Sequence, residues 1–162
     1  MDVMEKQETK AKFRFDINLR LLGISFTVFA LIISLRPDLL EDSFFVPLQL
    51  TLSIPLLLSS IFARSKLAWT KNAKVWENYG YITFLLAYTF LINVIGILIS
   101  NSLGLTIGLT FLLFSVFMSI SYSIFEVIED KTKIWSRIKK DLFFAVLVFL
   151  GGILPSLNII SI

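Results

Sequence analysis

The chain has 162 residues, of which 56% are hydrophobic and 17% are charged, and its formal net charge is +3. Soluble domains carry roughly 25% charged residues spread over their surface, whereas here the charges form clusters separated by long uncharged runs, which predicts membrane-spanning helices. The chain has no cysteine and no histidine, which excludes disulfides, thiolate catalysis, iron–sulfur clusters, thiolate zinc sites and the commonest general base.

The first predicted span covers residues 15–35, and a polar cytoplasmic tail, expected to begin as a disordered segment, covers residues 1–14. The uncharged part, 21–35, is short for a span, so we expect the helix to begin near Phe15 with Arg20 reaching to the interface. The basic region before this run is long, and no small-x-small cleavage site follows it. These features favour a retained span over a signal peptide.

The second and third spans are predicted over residues 46–63 and 79–99. Pro47 suits a first helical turn, where its missing N–H costs little. Pro55 lies inside the second run and should kink it. The Ser-Asn-Ser sequence at residues 100–102 predicts a tight turn into the next span.

The fourth and fifth spans are predicted over residues 103–125 and 142–162, with a polar stretch, 126–141, between them. The second half of this stretch has an apolar and a basic face, so it is either an amphipathic segment on the inner membrane surface or an extension of the fifth helix. A pair of glycines followed by Pro155 predicts a bend within the fifth span.

Counts of lysine and arginine predict the orientation. With a cytoplasmic N-terminus, the inner segments carry five basic residues (N-terminal), four (64–78) and five (126–141), against Arg36 alone outside. This positive-inside asymmetry predicts an all-α polytopic bundle of five spans, one domain over residues 15–162, in the cell membrane with an external C-terminus. The three tryptophans all fall in inner loops, as expected of an interfacial aromatic belt: Trp69, Trp76 and Trp135.

Small and polar residues form stripes on three of the predicted spans, which matters because close backbone contact and polar bonds hold helices together in lipid. At about 100° per residue, each stripe occupies one face. The members are Gly23, Thr27, Ala30 and Ser34 in the first span; Thr89, Asn93, Gly96 and Ser100 in the third; and Gly104, Gly108, Ser115, Ser119 and Tyr122 in the fourth. Packing within the chain is the first interpretation, and an oligomer seam or a polar cavity is the other.

Asn93 is the most polar side chain well inside a run. An unpaired amide in hydrocarbon costs several kcal/mol, so this side chain should face protein. It would either bind a neighbouring helix, for example the hydroxyl of Thr27, or line a cavity. Gln49 and Asn158 lie nearer the ends of their spans, where we expect water to reach them.

Ionisable residues are absent from the central part of every run, which argues against a proton-driven pump but not against a channel. An acidic group, Glu126, Glu129 and Asp130, follows the fourth span. Carboxylates can bind a hard cation, but we expect these to be solvated and partly paired with Lys131 and Lys133. We assign no metal site.

Catalytic motifs are absent from the sequence: there is no nucleophile elbow, no HExxH, no phosphate-binding glycine loop and no pair of intramembrane carboxylates. We therefore expect a non-enzymatic protein without cofactors, acting through helix–helix contacts as an accessory, assembly or protective component. Its partners would be the lipid bilayer and another membrane protein or a second copy, and not nucleic acid. The alternatives are a small oligomeric channel or carrier with a polar path near Asn93 and, third, a lipid-modifying enzyme.

Overall fold

The computed structural model describes residues 3–35, 37, 40, 43–67, 70, 73–129 and 131–157. All secondary-structure elements within these ranges are helical, which confirms the all-α class. In chain order they are α1 (Val3–Leu35), α2 (Phe45–Lys66), α3 (Ala73–Leu103), α4 (Leu105–Glu129), a 3-10 turn (Lys131–Lys133), α5 (Ile134–Val148), a π-helix (Phe149–Ile153) and α6 (Leu154–Ser156).

Four of these helices are long and apolar enough to cross a membrane, since a span needs about 20 apolar residues. The apolar stretches are Phe15–Ser34, Phe45–Lys66, Ala73–Leu103 and Leu105–Ile128, with mean hydropathies of 1.9, 1.8, 2.4 and 1.9. Within their most apolar parts, 39% and 44% of the residues of α2 and α3 are buried, against 17% and 11% for α1 and α4. Helices α1 and α4 therefore expose most of their apolar surface, as lipid-facing helices do.

The helix boundaries differ from the predicted ones at two places. Helix α1 begins at Val3, so the tail residues from there on are helical and not a disordered segment. Residues 100–102 are also helical, and the turn into α4 lies at Gly104, where φ is 103°. A positive φ is readily adopted only by glycine, so the chain turns at the glycine and not at the Ser-Asn-Ser sequence.

The C-terminal helix begins earlier than predicted, because α5, the π-helix and α6 follow one another from Ile134 to Ser156. The second half of the polar stretch, from Ile134 to residue 141, is therefore an extension of this helix. The predicted bend coincides with the π-helix, in which the N–H of Leu154 donates to the carbonyl of Phe149, five residues earlier. The last residues of the predicted fifth span, Asn158 among them, lie outside the described residues.

The chain forms two compact units, each built from two segments. Unit 1 consists of Met1–Asp42 and Leu50–Tyr88, and unit 2 of Ser43–Gln49 and Thr89–Ile162. The core of unit 1 includes Leu50, Leu57, Ala63 and Ala87, and the core of unit 2 includes Val46, Val94, Leu112, Phe144 and Val148.

Candidate functional site

Asn93 lies at the centre of a buried polar cluster in unit 2. Its side chain is fully buried. Its amide nitrogen donates to Oε1 of Gln49 at 2.8 Å and to the backbone carbonyl of Leu147 at 3.2 Å. Asn93 therefore binds α2 and the C-terminal helix, and its partner is not Thr27, whose hydroxyl donates to the carbonyl of Gly23 at 3.0 Å.

Gln49 continues this cluster to the π-helix. Its Nε2 donates to the carbonyl of Gly151 at 2.8 Å. In an α-helix that carbonyl would accept from the N–H four residues later, but this residue is Pro155, which has no N–H. The glutamine amide thus replaces a missing backbone donor at a π-helical turn, a type of distortion that often occurs at functional sites.

The adjacent glycines of the π-helix give the amides access to the backbone. A Cβ atom at Gly151 would lie 2.5 Å from Nδ2 of Asn93 and 2.9 Å from Oε1 of Gln49. A Cβ atom at Gly152 would lie 2.8 Å from Oδ1 of Asn93. At these distances a side chain at either position would force the amides to shift, so the glycines allow the asparagine its present position.

One buried polar atom of the cluster has no hydrogen-bond partner among the described residues. This atom is Oδ1 of Asn93. Leaving a buried acceptor unpaired costs about 1–3 kcal/mol. The cluster therefore satisfies the donors of Asn93 and the carbonyl of Gly151 at the expense of one acceptor.

Gln49 was missed by sequence reasoning, which placed it near a helix end within reach of water. Its side chain is only 4% exposed. The signal that could have found it is Pro155, because a proline inside a membrane helix frees a carbonyl that another group must satisfy.

The stripe on α3 packs against α4. Thr89 is fully buried, and Gly96 lies against the side chain of Leu112 so closely that a Cβ would overlap it. A Cβ at Gly108 would likewise overlap Ser100. The structure thus brings together Ser100 and Gly108, which the sequence placed on the stripes of the third and fourth spans.

The remaining predicted positions on α4 have different surroundings. Gly104 is exposed, no heavy atom lies within 4 Å of a Cβ placed there, and it forms the turn. Ser115 is half-buried and its hydroxyl donates to the carbonyl of Phe111 in its own helix at 2.9 Å. Of the two glycines in the predicted GxxxG, only Gly108 makes a close helix contact.

The stripe on α1 is open. Gly23, Thr27, Ala30 and Ser34 are all exposed. No heavy atom lies within 4 Å of a Cβ placed at Gly23. The buried residues of this helix segment, Ser25 and Ile32, lie on the opposite face. Packing within the chain, which we expected for this stripe, is not found in the part of the chain that the structure describes.

A buried polar chain also occurs in unit 1. Nδ2 of Asn18 donates to Oγ of Ser60 at 2.8 Å, and the hydroxyl of Ser60 donates to the carbonyl of Gly80 at 2.7 Å. The hydroxyl of Thr83 lies 3.4 Å from the same carbonyl and 2.9 Å from that of Tyr79. Asn18 was not singled out from the sequence because it lies in the first turn of a predicted span.

Charged residues of α5 contact α4. Arg137 forms an ion pair with Glu126 at 2.7 Å. Asp141 lies 3.5 Å from Nζ of Lys140 and accepts a hydrogen bond from Ser119 at 3.1 Å. Ser119 lies well inside the apolar stretch Leu105–Ile128, so a carboxylate reaches a depth at which the sequence alone indicated no ionisable group.

The structure describes only part of the acidic group after the fourth span, so its predicted pairing with Lys131 and Lys133 stays a prediction. Glu126 pairs with Arg137, while Lys131 is exposed. Asp130 and the side chains of Glu129 and Lys133 lie outside the described residues. The described residues contain no group of three or more acidic side chains that could hold a metal ion.

Comparison with known proteins gives no family for the chain: no protein-family model matches it, and neither the curated proteins nor the solved structures contain a match.

Proposed function

We propose that this protein is a five-span protein of the cell membrane, with a cytoplasmic N-terminus and an external C-terminus. The positive-inside asymmetry supports this orientation. The continuous run of helical elements from Ile134 to Ser156 supports a fifth span. The π-helix divides this run, so neither of its α-helical parts is itself as long as a span.

We further propose that the protein is non-enzymatic and acts through helix–helix contacts with another membrane protein or a second copy, as an accessory, assembly or protective component. The open stripe on α1 is the observation that carries this proposal. The stripe on α3 and Gly108 of α4 are used in packing, whereas Gly23 has open space around it. Small residues facing lipid allow a partner helix to approach closely.

The burial of Asn93 favours this function over a channel. A path for ions or solutes needs polar groups that water can reach. The Asn93 amide instead binds Gln49 and a backbone carbonyl in full burial. We therefore expect no current from the wild-type protein in liposomes, and a reproducible conductance would make the channel the better proposal.

Reporter fusions test the topology. Fusions after Lys71 and after Lys140 should both read cytoplasmic, and a fusion at the C-terminus should read external. A cytoplasmic reading at the C-terminus would refute the five-span arrangement, whatever the outcome for partners.

Affinity purification in mild detergent tests the contact surface. The chain should be recovered with a partner or as an oligomer, and Gly23→Leu should abolish this association while leaving the melting temperature unchanged, because the site is open. Ile24→Leu is the matched control, since Ile24 is an exposed neighbour outside the stripe. Recovery of a monomer from the wild type, or equal association for both variants, would contradict the proposal.

A further inference from the structure

A groove in unit 1 is unrelated to the two buried polar clusters. It is a cavity of about 380 Å³, within the size range of small-molecule sites, which is roughly 300–1,000 Å³. Its walls come from the end of α2 and the beginning of α3: Ser59, Phe62, Ala63, Val75, Trp76 and Tyr79.

The walls are largely apolar and aromatic, and they are open to the surroundings of the protein. The rings of Trp76 and Tyr79 meet edge to face, with their centroids 6.1 Å apart. Phe62 is 66% exposed and Val75 is 64% exposed. A ligand that enters from the side and presents hydrocarbon to aromatic rings fits these walls.

The groove lies where the sequence changes from apolar to basic. Ala63 ends the apolar run of α2, and Arg64 and Lys66 follow it. Tryptophan and tyrosine are enriched at this depth, where acyl chains meet headgroups. We therefore expect one end of the groove to face the hydrocarbon and the other end to face the headgroup layer.

A basic residue, Lys66, follows the wall residues of α2 along the helix. Lys66 follows Phe62 by four residues and Ala63 by three, and residues with these spacings are neighbours on a helix face. Its side chain is exposed. Lys74 is also exposed, but it precedes Val75 by one residue and so lies about 100° around α3 from that wall.

We propose that this groove binds an anionic phospholipid, with an acyl chain against Phe62, Trp76 and Tyr79 and the phosphate at Lys66. Basic sites between membrane helices on the cytoplasmic side bind anionic headgroups. The assignment to the cytoplasmic leaflet rests on the proposed topology, whereas the binding itself does not. A zwitterionic lipid would satisfy the apolar walls equally but would lack the net negative charge that Lys66 attracts.

Fluorescence quenching of Trp76 tests the proposal. The variant Trp69→Phe/Trp135→Phe keeps Trp76 as the single tryptophan. It is reconstituted into phosphatidylcholine vesicles containing either brominated phosphatidylglycerol or brominated phosphatidylcholine at the same mole fractions. The anionic lipid should reach half-quenching at an about fivefold lower mole fraction, which is the preference that one lysine contributes near a membrane surface.

Two charge variants of this single-tryptophan protein separate a site from general surface charge. Lys66→Gln should abolish the preference for the anionic lipid, and Lys74→Gln should retain it. Ser59→Phe, which fills the groove, should reduce quenching by both lipids. A melting temperature equal to that of the parent protein shows that each variant is folded.

Three outcomes would overturn the proposal. Equal quenching by the two lipids would mean that the groove holds bulk lipid only. An equal loss in both lysine variants would mean that only surface charge is sensed. Quenching by neither lipid, together with a dimeric mass, would mean that a second copy covers the groove. Because both leaflets of the vesicles have the same composition, these outcomes do not depend on the topology, which the reporter fusions test separately.

Discussion

The buried polar chain of unit 1 and the buried polar cluster of unit 2 satisfy their groups in different ways. In unit 1, Asn18 donates to Ser60, and Ser60 donates to the carbonyl of Gly80, which belongs to an uninterrupted helix. In unit 2, Gln49 donates to the carbonyl of Gly151, which Pro155 has deprived of its helical donor. In unit 1, the side chains add hydrogen bonds to a helix whose backbone bonding is uninterrupted. In unit 2, the glutamine donates to a carbonyl whose α-helical donor is replaced by a proline.

Two equally buried hydrogen bonds can therefore contribute differently to the stability of the protein. Removing a link in unit 1 leaves a carbonyl that still has its helical donor. Removing Gln49 takes away the side-chain donor of the Gly151 carbonyl, whose α-helical donor position is occupied by Pro155, and an unsatisfied backbone group is expensive in a membrane.

Asn93→Asp should cause the largest loss of stability. The new carboxyl group would face Oε1 of Gln49, an acceptor, and a charge at the centre of a span costs about 2.5–3.5 kcal/mol. Asn18→Asp should cost less, because the hydroxyl of Ser60 can donate to a carboxylate. Melting temperatures in detergent measure both. Equal losses would show that the two regions are electrostatically alike.

Gly151→Ala should be the next most damaging change, at about 1–3 kcal/mol for overpacking. Its Cβ would meet the amides of Asn93 and Gln49, which hydrogen bonds hold in place. At Gly80 in unit 1, a Cβ would lie 3.0 Å from that of Ala63, so Gly80→Ala requires a smaller shift. If Gly80→Ala lowered the melting temperature as much, the crowding would not be specific to the π-helix.

A double-mutant cycle tests whether Gln49 substitutes for the backbone donor that Pro155 lacks. Gln49→Leu should destabilise the wild type, but Pro155→Ala restores an N–H for the carbonyl of Gly151. In that background Gln49→Leu should cost less, by about 1 kcal/mol, within the range seen for groups that share a partner. Additive losses in denaturation experiments would mean that the glutamine does not substitute for the missing donor.

Asn93→Leu should have the smallest effect, close to the roughly 0.6 kcal/mol average of hydrogen bonds between membrane helices. The substitution loses two bonds from the amide nitrogen but also removes the buried Oδ1 that has no partner among the described residues. Ser60→Ala in unit 1 should have an effect of similar size. A loss several times larger for Asn93→Leu would show that Oδ1 is satisfied in solution.

The four long apolar helices were predictable because an apolar run of sufficient length is visible directly in the sequence. Their ends were not, since helical hydrogen bonding continues into polar residues: α3 begins at Ala73 although the apolar run begins at residue 79. The turn at Gly104 was not predicted, because the sequence does not show which residue adopts a positive φ. Residues 100–102 contain residues typical of turns and are nevertheless helical.

The candidate site was predictable in part for a related reason. Periodicity shows which residues share a face, so it found Asn93, Ser100 and Gly108. Periodicity does not show which residues pack against a given face. The stripe at Gly23 has the same spacing, yet no other segment packs against Gly23. Periodicity within one segment cannot predict contacts between distant segments, such as the hydrogen bond from Ser119 to Asp141 of another helix.

The two units also differ in when they can be completed as the chain is made. All residues of unit 1 precede residue 89, whereas the contact between Gln49 and Gly151 joins residues 102 positions apart. Since chains are synthesised from the N-terminus, the amides of Gln49 and Asn93 are in the membrane before the C-terminal helix exists. During that interval the two amides can bind each other but not the carbonyls of Leu147 and Gly151, so the cluster is complete only after the C-terminal helix is made.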